Sequence, residues 1–151
     1  MKNKKLFELF EELKTINLTG KVGYAIAKNR RLVEQEVETL QETVKASKEF
    51  ETYEKERVEI AKKHAKKDEK GKEVIENNSY ILEDQEAFDK EFEVLKEAQN
   101  EVIETRKKQL EDFNDLLEEQ TTLELFHITE DKIPENATAQ EVYTLLKLIK
   151  E

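Results

Sequence analysis

Apolar positions along the chain fall into four runs with helical spacing and two short β-prone stretches. In the first run, Leu6, Phe7, Leu9, Phe10, Leu13 and Ile16 recur every few residues, with Glu8, Glu11 and Glu12 between them. This spacing predicts a short helix over 3–16. Asn17-Leu18-Thr19-Gly20 then interrupts it. Asn and Gly suit a helix C-terminus, and Thr19 is placed to N-cap the next helix.

Val22, Ile26, Asn29, Val33, Val37, Leu40 and Val44 step by three or four. That narrow stripe is a coiled-coil seam rather than a wide globular face. It thins after residue 44 but continues through Phe50, Tyr53, Val58, Ala61 and Ala65, with no Gly or Pro between Gly23 and Gly71. The pattern predicts one long helix over 19–66, about 72 Å in length, which needs a partner along its side. Residues 66–73 are polar and read as a loop. Val74-Ile75-Glu76 and Ser79-Tyr80-Ile81-Leu82 flank Asn77-Asn78, which suggests a hairpin over 73–82 because Asn tolerates positive φ.

A second long helix is expected over 84–119. Asp84 is its N-cap, and Phe88, Phe92, Leu95, Val102, Leu110, Phe113 and Leu117 mark its face. At about 54 Å it should fold back on the first long helix. Residues 122–128 have the β-branched and aromatic content of a strand. Thr138 and Glu141 have capping-box spacing ahead of a C-terminal helix over 139–150. The expected architecture is mainly α. It is a single domain built on an elongated antiparallel, coiled-coil-like helical hairpin, with a small β element and a short C-terminal helix.

Composition narrows the functional classes. Charged residues make up 41% and hydrophobic ones 36%, with three Gly, one Pro and no Cys. A disulfide framework and thiolate metal sites are excluded, and a turn-rich β-barrel is disfavoured. No apolar run reaches membrane-spanning length, and no signal-peptide core follows the basic start, so the expected place is the cytoplasm. The serines are Ser47 and Ser79 alone, without a Gly-x-Ser-x-Gly elbow. Glu124-x-x-His127 has di-iron spacing once only, within the strand-like stretch. We therefore expect no catalytic residues, no metal and no cofactor.

Charge is uneven. Residues 1–31 hold eight Lys/Arg against three Asp/Glu, whereas residues 73–151 hold eight against 22. The acidic part disfavours nucleic acid as a partner and favours a basic protein. Lys21, Lys28, Arg30 and Arg31 cluster near the start of the long helix beside Tyr24, so a nucleotide or other anion is a candidate ligand there. Gly20, Gly23 and Ala27 allow close approach of another helix. Together with Val33, Val37 and Leu40 they form the candidate interface of a homo-oligomer. The basic run from Lys62 to Lys72 reads as the solvated tip of the hairpin.

Leu18-Thr19-Gly20-Lys21 followed by Ala25-Ile26-Ala27-Lys28-Asn29 resembles a group of small phage and prophage proteins. Lys67-Asp68-Glu69-Lys70-Gly71-Lys72, Asn77-Asn78-Ser79-Tyr80 and the run from Asp84 to Glu91 carry the same resemblance, as does the tail. The resemblance implies a phage-encoded chain and carries over no catalytic residue. The expected function is a non-enzymatic interaction protein that self-associates and binds or sequesters a host component, a defence signal among them. The alternatives are a virion or assembly scaffold component and, more weakly, an acidic mimic of nucleic acid.

Overall fold

Leu6, Leu9 and Leu13 are buried along one face of helix α1 (Lys4–Thr15). That helix packs on α2 (Gly20–Thr43), whose seam of Val22, Ile26, Asn29, Val33, Val37 and Leu40 is buried throughout. Each aliphatic side chain removed from water in this way contributes about 1.5–3 kcal/mol. After α2 come α3 (Lys48–Lys63), the strands β1 (Ile75–Glu76) and β2 (Ser79–Tyr80), α4 (Gln85–Ala98) and α5 (Asn100–Glu118). A 3-10 turn at Glu130–Lys132 and α6 (Ala139–Leu146) complete the order. This computed structural model describes residues 1–149. The chain divides into two compact units where the pattern suggested one domain. The first joins Met1–Val44 to Glu111–Glu151, and the second is Lys45–Leu110.

In the first unit the N-terminus is fastened to the end of α5. Asn3 donates its backbone N–H to Glu119 O at 3.0 Å and its side-chain amide to Leu116 O at 2.9 Å. Lys2 and Lys4 both meet the Glu118 carboxylate, at 2.8 and 2.6 Å. Helix α6 begins at the expected capping box, with Thr138 N–H donating to Glu141 Oε2 at 2.8 Å. It packs on α1, where Lys147 pairs with the mostly buried Glu12 at 2.6 Å. Leu145 and Leu148 complete the core.

In the second unit α3 and α4 run antiparallel, because the end of α3 meets the first half of α4. His64 Nε2 lies 2.7 Å from Glu91, which Lys63 also contacts at 2.9 Å. The Lys63 and His64 side chains together hold the Glu91 carboxyl below its usual range, with the histidine contact the larger effect. Between the helices, β1 and β2 pair antiparallel in the register Ile75 with Tyr80 and Glu76 with Ser79. Asn77 and Asn78 turn the corner at φ +49° and +61°, the left-handed pair that a tight two-residue hairpin requires. The basic loop before it is closed by Asp68, whose Oδ1 accepts the N–H groups of Lys70 and Lys72.

Four expectations are corrected. The helix expected over 19–66 is two helices, separated at 44–47. Ser47 Oγ accepts Phe50 N–H at 3.1 Å and so starts α3 afresh, a capping signal without Gly or Pro. The helix expected over 84–119 is interrupted at Gln99 alone; bonds from Gln99 N to Leu95 O and from Ile103 N to Gln99 O persist on either side. Among the described residues the strand expected over 122–128 joins no sheet and makes one isolated parallel bridge, Ile128 with Ile149; Asn29 and Leu148 occupy its polar groups instead. The C-terminal helix ends at Leu146; Lys150, within its expected span, lies outside the described residues.

Candidate functional site

Thr19 sits at the N-cap of α2 without a side-chain capping bond, and Gly20 adopts φ +68°. A non-glycine residue reaches that conformation only with strain. Three residues on, a Cβ at Gly23 would lie 2.2 Å from Leu18 O. Gly20 and Gly23 therefore let the chain fold tightly into its own helix. Ala27 is exposed, whereas Val33, Val37 and Leu40 are covered by their own chain. No second copy is needed to bury those three.

The α2 start forms one wall of a cleft of about 610 Å³, to which Lys21, Val22 and Tyr24 contribute. That volume is in the range of small-molecule sites. The opposite wall is the extended segment expected to be a strand, from Phe126 through Thr129, together with Lys132. This segment is fixed by one buried side chain. Asn29 Nδ2 donates to Phe126 O at 2.7 Å, while Asn29 Oδ1 accepts Phe126 N–H at 2.7 Å. Two residues further, Ile128 N–H donates to Leu148 O at 3.0 Å.

Two aromatic rings face the cleft region. Tyr24 is 64% exposed and Phe126 38% exposed, and their rings meet edge to face with centroids 6.1 Å apart. Lys28 Nζ lies 4.5 Å from the Phe126 centroid, a cation–π contact. His127 Nδ1 is 3.2 Å from Leu148 O. A carbonyl can only accept, so Nδ1 carries the proton, and in the neutral ring Nε2 is the acceptor.

The cations are not equivalent. Lys132 pairs with Asp131, whose carboxyl is held below its usual range by the Lys132 ammonium first and the Thr129 hydroxyl second. Among the described residues, Lys21 and Lys28 have no carboxylate partner. Lys2, Lys4, Lys63 and Lys147 each have one, whereas Lys62, Lys66, Lys67, Lys70 and Lys72, like Lys21 and Lys28, have none among the described residues, so what sets Lys21 and Lys28 apart is their place beside the aromatic cleft. Arg30 and Arg31 are exposed and do not line the cleft. Of the expected cluster, Lys21 and Tyr24 line the cleft, Lys28 does not line it but rests over the Phe126 ring, and the two arginines make neither contact. Phe126, His127, Thr129 and Lys132 were not anticipated. Their signal was Asn29, a polar residue in an otherwise apolar seam.

This arrangement can hold a planar, anionic molecule by stacking and charge. No protein-family model, no curated protein and no solved structure matches the chain.

Proposed function

We propose that the chain is a non-enzymatic binding protein that captures a small anionic molecule in the cleft between the α2 start and residues 126–132. The observation that carries this reading is the pair of lysines without carboxylate partners, Lys21 and Lys28, beside a cleft with exposed aromatic walls. In a chain of net charge −10, cations left unneutralised beside a concave site suit an anion from outside. Its action is then sequestration. With the phage origin that the sequence resemblance implies, the captured molecule is one that the host makes.

Thermal unfolding with and without pyrophosphate tests the reading. At 100 times the dissociation constant a ligand stabilises by about 2.7 kcal/mol. For a chain of this length that is a rise of roughly 5–10 °C. The double variant Lys21→Gln/Lys28→Gln should lose the rise and keep the unliganded midpoint. An equal rise in both proteins would place the anion elsewhere.

A specific observation supports self-association as a second reading. Among the described residues, α4 and α5 contain no buried side chain, and Val94, Leu110 and Val58 remain exposed. A helical hairpin with such a thin core is completed most simply by another copy. Sedimentation equilibrium should then give a mass above 17.8 kDa.

A further inference from the structure

We infer that the molecule captured in this cleft is a nucleoside phosphate, its base stacked on Tyr24 and its phosphate held by Lys21 and Lys28. This rests on the anion-capture reading and narrows it to one chemical class. An inorganic anion would be satisfied by cations and N–H donors and would gain nothing from aromatic walls. Yet Tyr24 presents most of its surface to solvent, and Phe126 stands against it at an interplanar angle of 89°. Perpendicular rings cannot sandwich a flat ligand between them. They suit one that stacks on the first ring and meets the second at its edge, an arrangement that aromatic pairs favour. Base-on-aromatic stacking is a recurrent way of holding nucleobases.

The remaining groups fit the rest of a nucleotide. Lys28 rests over Phe126 without a carboxylate, so a phosphate arriving beside the ring offers it a stronger, charge-assisted contact. Lys21 lies on the cleft wall seven residues earlier, two helical turns away on the same side of α2. His127, with its Nδ1–H committed to Leu148 O, keeps Nε2 as an acceptor for a ribose hydroxyl or an exocyclic amine. Asn29 secures the Phe126 backbone on both its polar groups, so this wall is formed before any ligand arrives. Such preorganisation lowers the ordering cost of binding.

Calorimetric titration of the full chain with AMP, GMP, CMP, UMP, adenosine, inorganic phosphate and phosphotyrosine tests the assignment. At least one nucleoside monophosphate should bind ten times or more tighter than adenosine, inorganic phosphate or phosphotyrosine. Tyr24→Ala should weaken that nucleotide tenfold or more while leaving phosphate binding unchanged. Tyr24 is exposed, so this variant keeps the fold, which circular dichroism verifies. If phosphate matches the best nucleotide and Tyr24→Ala changes nothing, anion capture stands and the nucleotide assignment falls. Tighter binding of phosphotyrosine than of every nucleotide also overturns it. If neither phosphate nor any nucleotide binds, both readings fall together.

Discussion

Asn29 and Phe126 are 97 residues apart, yet the buried Asn29 side chain exchanges two hydrogen bonds of 2.7 Å with the Phe126 backbone. The amide takes the part that a neighbouring strand would play, pairing one N–H and one C=O of an extended residue. It thereby replaces a sheet with a single side chain and ties the tail to the middle of the core. Asn29 itself is fully buried.

Asn29→Ala should therefore be severe. It orphans both the N–H and the C=O of Phe126, at about 1–3 kcal/mol for each buried group left unpaired. We expect a loss of roughly 2–4 kcal/mol in urea denaturation. Asn29→Asp should fare no better, because a carboxylate cannot donate to Phe126 O. A loss below about half a kcal/mol for Asn29→Ala, the usual range of a plain surface change, would show that the tail is held by other contacts.

Gly23→Ala separates two explanations of the small residues at the start of α2. Alanine favours helix by about 1 kcal/mol over glycine. Here, however, its Cβ would meet Leu18 O at 2.2 Å, and backbone cannot yield as a flexible side chain does. The variant should be destabilised, by about 1–3 kcal/mol as in other overpacked sites. Ala27→Leu, at an exposed position, should leave the stability of the folded chain unchanged. Stabilisation by Gly23→Ala would contradict the close turn.

Local chemistry explains what was legible in the sequence. The capping box at Thr138, the N-cap at Asp84 and the Asn77-Asn78 turn each act over four residues or fewer, so the sequence displays them directly. Apolar periodicity located the helices but not their ends. Ser47 caps a helix within a stretch that has no Gly or Pro, and the stripe runs on across the break. The expected strand failed for a different reason. Its β-prone content describes an extended segment well enough, but sheet or no sheet depends on which distant group reaches it, here Asn29. The cleft was half legible for the same reason. Lys21 and Tyr24 share one helix, while Phe126 and His127 arrive only through tertiary packing.

The N-terminal clamp should weaken in acid. Lys2 first, then Lys4, hold the Glu118 carboxyl down to about 2. A carboxylate depressed in the folded state stabilises it above the unfolded value of roughly 4.3 and loses that contribution as pH falls through the folded value. The stability advantage of the wild type over Glu118→Gln should thus be constant at about pH 6–7 and shrink steadily from about pH 4.5 toward about pH 2. Urea midpoints across that range measure it. An advantage that does not change with pH would mean the ion pairs do not form in solution.

Self-association through the second unit is tested at Val94, which is 67% exposed on α4. Val94→Lys should leave helix content unchanged and reduce the sedimentation mass to that of one 17.8 kDa chain. A wild type that is already monomeric at tens of micromolar would exclude that surface.

The capture of a nucleoside phosphate is tested most directly by mapping amide chemical shifts of the isotope-labelled chain during titration with AMP, GMP, CMP and UMP. At least one of the four should move resonances saturably at residues 20–28 and 126–132, with Tyr24 and Phe126 among the largest changes. The basic loop from Lys62 to Lys72 should stay in place. Shifts centred on that loop, or no saturable shift near α2 with any of the four, would contradict nucleoside phosphate capture.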